Sequence, residues 1–306
     1  MKRKYVLIFF ILILLLIILN QNVIVTYIAK NFLYKNEVIV PEYSYYHLDT
    51  DFNYVKETKD FVPKNKQDIL NIVYTVLNNG WETFTFYCPD EYISCKNDVN
   101  SIFKDQSTLS HLNNFIHPYN TYSTITADTS SLGKIKVDVK KLYSKNMIKE
   151  IDEKVNSIYK EIIKDDMSDR DKILAVHDYI INNTIYDEER SNAILSGDKS
   201  NSDSNSHSAY GLLYEGKAIC GGYADTMALF LDKMGITNMK IATYDHVWNA
   251  VLLDGVWYHL DLTWDDPVSD SGENILTHTF FLLTSEELAN QNTGQHDYDK
   301  KIYSEI

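Results

Sequence analysis

Basic residues are in short supply: 29 Lys and Arg stand against 43 Asp and Glu in a chain of 306 residues, a formal net charge of −14. With no basic surplus to neutralise phosphates, nucleic acid is excluded as the main partner. Cysteine is scarcer still, with only Cys88, Cys95 and Cys220. No Cys-x-x-Cys and no His-x-x-x-His spacing occurs, so neither a metal nor any other cofactor is expected. No internal repeat is visible. What remains is ordinary for a globular chain, 44% hydrophobic and 24% charged, and long enough for one large domain or two modest ones.

A further lack lies at the N-terminus. Lys2, Arg3 and Lys4 precede an apolar run from Tyr5 to Leu19. A removable export signal should end in small residues, but Ala29 is the only nearby candidate and Tyr27 stands two positions before it. An uncleaved signal-anchor is therefore expected over residues 1–29. Tyr5 to Leu19 would rise only about 22 Å as a helix, whereas Tyr5 to Ile28 would rise about 36 Å and span a bilayer with tilt. The basic flank places the N-terminus in the cytoplasm and the remainder outside. In that compartment Cys88 and Cys95 are expected to pair across the intervening short loop, leaving Cys220 as the odd thiol.

Residues 30–64 are polar and Tyr-rich without a period and read as a linker. Residues 65–144 read as a small α/β domain. A helix starts near Gln67 (Ile69, Ile72, Val73, Val76, Leu77) and stops at Asn78-Asn79-Gly80, with strands at Glu82–Cys88 and Lys134–Val139. Residues 145–306 read as the domain that carries chemistry. A helix from Lys145 to about Lys164 leads to Ser168, an N-cap with Asp171 three residues on, and a second helix ending near Asn182-Asn183. Ser196 to Ser208 is a low-complexity polar loop that reads either as a flexible surface insertion, the preferred reading, or as a mobile flap near the site.

Cys220 opens the next helix, whose apolar positions Ala224, Met227, Ala228, Leu231 and Met234 recur at helical spacing before Gly235 ends it. A helix N-terminus favours an anion and is one of the settings that produce reactive thiolates. Gly221 and Gly222 are expected to leave room for a substrate carbonyl, whose oxyanion the same backbone N–H groups would hold. Downstream, Asp254-Gly255 between two apolar runs signals a two-residue hairpin. With that turn, Leu253 faces Val256, Trp248 faces Asp261, and His246 and Asp261 become diagonal neighbours on one face. Such neighbours lie roughly 7–8 Å apart at Cα, within reach for an imidazole and a carboxylate. The opposite face (Val247, Val251, Leu253, Val256, Tyr258, Leu260, Leu262) is expected to be the core side. A thiol, a His to hold its proton and an Asp to orient that His are the parts of nucleophilic acyl transfer.

Gly216-Lys217-Ala218-Ile219-Cys220-Gly221-Gly222-Tyr223-Ala224, His246-Val247-Trp248-Asn249-Ala250-Val251 and Gly255-Val256-Trp257-Tyr258-His259-Leu260-Asp261-Leu262-Thr263-Trp264-Asp265-Asp266-Pro267 resemble the three motifs of bacterial transglutaminase-like domains. His177-Asp178-Tyr179 and Tyr186-Asp187 resemble the same family, and the likeness covers about Ser168 to Pro267. The resemblance implies an α+β fold with a papain-like core, an antiparallel sheet and a nucleophile-bearing helix, in which Cys220, His246 and Asp261 form a triad. It also implies chemistry on amide bonds. Such families hold crosslinking enzymes, peptidases, amidases and non-catalytic members. This chain departs from the pattern at Asp245, where Gly is common, and in its long Ser/Asn loop.

The expected function is thiol acyl transfer on protein or peptide amides at the cell surface, through a Cys220 thioester. The rival is a surface binding module that kept the fold without turnover. Trp248 reads as a wall of the acyl pocket or as simple aromatic packing, Tyr210 as an oxyanion donor or, preferentially, as core packing, and Gly221 as an oxyanion donor. His177 sits at a helical core position and reads as structural. Asp265 and Asp266 read either as clustered carboxylates for a cation or as a turn held by Asp and Pro.

Overall fold

A computed structural model of the protein describes residues 2–21, 23–24, 46, 53–197, 204–268, 275–291 and 293–306. The first element is α1 (Lys2–Leu19), whose described side chains from Tyr5 onward are exposed. Its 18 residues rise about 27 Å and three of them are basic. Among the described residues no helix is long and apolar enough to cross a membrane. Most of the continuation to Ile28 that the anchor requires lies outside the described residues.

Residues 65–144 fold as α2 (Lys66–Asn78), β1 (Thr83–Tyr87), α3 (Cys95–Lys104), α4 (Gln106–Asn114), β2 (Tyr122–Thr129) and β3 (Lys134–Lys141). Asn65 caps α2 by accepting from the Asp68 N–H, and the apolar stripe at Ile69, Ile72, Val73 and Val76 is fully buried. Burial of each such side chain contributes about 1.5–3 kcal/mol. The strands pair antiparallel in the order β1-β3-β2. β2 is absent from the sequence reading because Tyr-Ser-Thr-Ile-Thr-Ala-Asp-Thr is an edge strand that buries Ile125 alone, so no apolar alternation marks it. Cys88 and Cys95 are joined as a disulfide, with Cα atoms 5.7 Å apart, between β1 and the start of α3.

The second half runs α5 (Lys145–Ile162), α6 (Asp169–Asn182), β4 (Ile185–Tyr186), α7 (Glu188–Ser196), β5 (Lys217–Ala218), α8 (Cys220–Met234), β6 (Asn238–Ala242), β7 (Val247–Leu253), β8 (Val256–Leu260) and α9 (Ser285–Asn290). Ser168 caps α6 through the Asp171 N–H, and Gly235 ends α8 at φ +75°. β6, β7 and β8 form an antiparallel sheet in that order. Asp254 and Gly255 both take positive φ, 52° and 79°, and set the register Leu253↔Val256 through Asn249↔Leu260.

Two expectations about packing are corrected. The sheet has no solvent-side face at its centre, because both faces are covered. Val251 and Leu260 pack with Tyr223 and Met227 of α8, while Met239, Ile241, Trp248 and Ala250 join the core of residues 69–139. One hydrophobic core therefore runs through the expected boundary at 144/145. Nor is all of 30–64 a free linker. Val55 and Tyr46 are buried, and the Tyr46 hydroxyl accepts from the Lys240 N–H at 3.1 Å.

Candidate functional site

Cys220 is the first residue of α8, after Ile219 in extended conformation, and it is partly exposed. The first backbone N–H groups of a helix lack partners within it, so the sulfur sits where an anion is favoured. The two following glycines serve a purpose other than the expected one. A Cβ at Gly222 would lie 2.6 Å from the Ser206 carbonyl oxygen, and one at Gly221 would lie 3.0 Å from that of His207. They admit the chain's own backbone. The segment 204–208 is packed under the nucleophile turn, with Ser206 and Ser208 buried and the Ile219 N–H donating to Ser206 O at 2.8 Å. That end of the polar loop is part of the site's floor, which corrects the reading of Ser196–Ser208 as a surface insertion throughout. Residues 198–203 lie outside the described residues.

His246 precedes β7 and Asp261 follows β8, both buried. The ladder stops at Leu260 because the Asp261 N–H turns to Phe280 O, 3.1 Å away. His246 Nε2 and Asp261 Oδ2 are 2.5 Å apart, and Cys220 is the other neighbour that acts on the His246 ring. Burial pulls the His246 pKa down, but the charge and hydrogen bond of Asp261, then the contact with Cys220, outweigh it and raise the value to about 10. Burial alone would raise the Asp261 carboxyl. The His246 charge and hydrogen bonds from His246 and His296 hold it well below the usual carboxylate range instead.

Asp261 is held on all sides. Its Oδ1 accepts from the Thr263 and Trp264 N–H groups at 2.9 and 3.2 Å, and its Oδ2 accepts from His296 Nε2 at 2.8 Å as well as from His246. His296 is the residue that sequence reasoning missed. It is buried, hydrogen-bonded through Nδ1 to Thr293 and stacked on Phe280 at 5.1 Å. Nothing in Gly294-Gln295-His296 signals this, since the contact forms only when the chain returns 35 residues after Asp261.

A cavity of about 800 Å³ opens over Cys220, lined also by Gly221, His246, His207, Trp264 and Asp266. Trp248 is not on its wall. It is buried behind His246, stacked at 5.6 Å on that ring, and its indole N–H donates to His259 Nδ1 at 3.0 Å. Tyr210 is likewise away from the cavity, stacked on Tyr214 at 4.9 Å. In both cases the apolar bulk of the ring is used in core packing, the preferred reading for Tyr210 and one of the two for Trp248. Of the candidate lining residues, Gly221 alone is at the cavity. His207 was not singled out from the sequence. Its Nδ1 is buried without a hydrogen-bond partner, and burial followed by the Arg190 charge lowers its pKa. Asp266 is raised to about 6 by burial, which outweighs the hydrogen bond it accepts from Tyr223 and the His177 charge. Lys240 and Asp225 also reach the cavity as a buried ion pair at 2.6 Å.

A family model described as the transglutaminase-like superfamily matches residues 156–262. Among solved structures, a chain titled "Crystal structure of a TGase" aligns at 16% identity with a TM-score of 0.37, over 46% of this chain and 44% of that one. This chain thus spans less than half the length of that structure. No curated protein matches it. The matched residues contain the opening of α8, the β6-β7-β8 sheet and the His246–Asp261 pair just described. Residues 156–262 are a domain of the transglutaminase-like superfamily.

Proposed function

We propose that this protein is a thiol acyl-transfer enzyme acting on amide bonds of proteins or peptides, with Cys220 as nucleophile. The observation that carries this reading is the His246 imidazole, hydrogen-bonded to a buried carboxylate and sharing the wall of one open cavity with Cys220, which also acts on its pKa. Asp261 occupies Nε2, which leaves Nδ1 to face the thiol. His246 takes the thiol proton, and the sulfur attacks the amide carbonyl. The α8 N-terminus stabilises the oxyanion as it forms. The imidazolium then gives its proton to the leaving amine, and a thioester remains on Cys220. Asp261 holds the ring in one orientation and stabilises its charged form.

Water or a primary amine can resolve the thioester, giving hydrolysis or transfer. We assign both to this site. The net charge of −14 gathers cationic amines, an effect screened beyond about 8 Å in physiological salt. The location that fits the sequence is the cell surface, with the basic N-terminus in the cytoplasm and the apolar segment after it in the membrane. The test is a glutamine-containing acceptor protein offered with a labelled primary amine, with Cys220→Ala as control. Label incorporation identifies transfer, and ammonia release without label identifies a hydrolase. Neither product across a broad substrate panel refutes the enzyme and leaves a binding module.

A further inference from the structure

A second cluster of ligating side chains lies outside the cavity. His177 and Asp178 sit on α6, and His278 lies on the segment that returns past Asp261. Asp178 Oδ1 is 2.9 Å from His177 Nδ1 and 2.8 Å from His278 Nε2. The three ligand atoms all lie within 4.8 Å of one another. We infer that His177 Nδ1, Asp178 and His278 Nε2 form a binding site for a divalent transition metal of the zinc type.

Three features support a metal rather than a plain hydrogen-bond cluster. Two imidazole nitrogens and one carboxylate are the donor set of a three-ligand zinc site with one position open. Asp178 and His278 are a third to a half exposed, so that open position faces solvent. The buried ligand also carries an outer partner. His177 is fully buried, and its other nitrogen, Nε2, donates to Asp265 Oδ2 at 3.1 Å. When an ion displaces the proton that Nδ1 shares with Asp178, that bond leaves the Nδ1 lone pair directed at the metal, the carboxylate–histidine arrangement that orients metal-bound imidazoles. Asp265 is itself fixed, because its Oδ1 accepts from the Thr277 hydroxyl and the Phe280 N–H, each at 2.9 Å.

The geometry needs little change. Tetrahedral bonds of 2.0–2.1 Å separate ligand atoms by roughly 3.3 Å. Shifts of a few tenths of an ångström in the Asp178 carboxylate and the half-exposed His278 ring open the 2.9 and 2.8 Å contacts to that value. Asp178 and Asp265 together offset the charge of a divalent ion. A metal here would tie α6 to the chain that carries Phe280, whose carbonyl accepts from the Asp261 N–H.

The test uses the untagged full-length chain, purified in detergent without chelator and dialysed against micromolar zinc. Metal content and the visible absorption of the cobalt-substituted protein are the readouts. About one zinc per chain is expected in the wild type, and the same in Cys220→Ala and His296→Gln. His278→Ala, which removes an exposed ring and leaves the core intact, should weaken binding at least ~10-fold. Asp265→Asn should weaken it ~10–100-fold, as loss of an outer partner does. A wild-type chain that retains no zinc would overturn the assignment. So would binding that survives His278→Ala but is lost with His296→Gln, because the ion would then belong to the His246–Asp261–His296 group.

Discussion

Replacing Asp261 with Asn separates the charge of this residue from its shape. The carboxylate accepts four hydrogen bonds: two from imidazoles at 2.5 and 2.8 Å and two from backbone N–H groups at 2.9 and 3.2 Å. An amide has one acceptor oxygen, so whichever way it is turned its NH₂ group meets two donors. Losing one partner of a buried, hydrogen-bonded pair costs about 3–5 kcal/mol. With a urea m-value of ~3 kcal/mol/M, that is a midpoint lower by about 1–1.7 M. The same change removes what holds His246 protonated, since burial then dominates and favours the neutral ring. Alkylation of Cys220 by iodoacetamide at pH 6 should slow at least ~10-fold relative to wild type, while the rate above pH 10 changes little. A midpoint within ~0.3 M of wild type and an unchanged alkylation profile would refute the pairing.

Four other outcomes follow from the same geometry. His296→Gln, which can still donate to Asp261, should retain most of the turnover, whereas His296→Phe should lower kcat with little change in KM and shift its pH profile. Gly222→Ala should destabilise the nucleophile turn by about 1–3 kcal/mol, because the added methyl meets a backbone oxygen at 2.6 Å; urea unfolding reads this directly. Opening Cys88–Cys95 by a double serine substitution should cost about 2.5 kcal/mol for so short a loop, with Cys220 reactivity unchanged. His246 is raised in the folded state, so its contribution to stability is complete below pH ~6.5 and is lost as pH rises toward about 10. Asp261 is lowered, so its contribution is complete above pH ~4 and is lost in acid. His246→Ala should flatten the alkaline limb of the stability profile, as followed by melting temperature from pH 6 to 10.

The parts of this account legible in the sequence are those encoded locally. The 3.6-residue period and Gly235 marked α8, and Asp-Gly at 254–255 set the hairpin register that brings His246 toward Asp261. What was not legible depends on chain return. His296 and the 204–208 floor reach the site, and His278 the second cluster, by return of the chain, and none carries a local signal. The faces of the sheet were misjudged for a related reason. Alternation distinguishes two faces but does not say that residues 69–139 cover the second, which places Trp248 in the core instead of at the cavity. The glycines after Cys220 signal a close approach, but the group that approaches is the chain's own backbone and not the expected substrate carbonyl.

The central claim is that Cys220 takes up an acyl group from an amide, with His246 and Asp261 as its partners. Intact and peptide mass spectrometry of the chain, quenched in acid during turnover of a glutamine-containing peptide, tests it most directly. An acyl adduct on the Cys220 peptide that hydroxylamine removes is expected, absent from Cys220→Ala and strongly reduced in His246→Ala. Turnover with no adduct on Cys220, or an adduct that forms equally in His246→Ala, would contradict it.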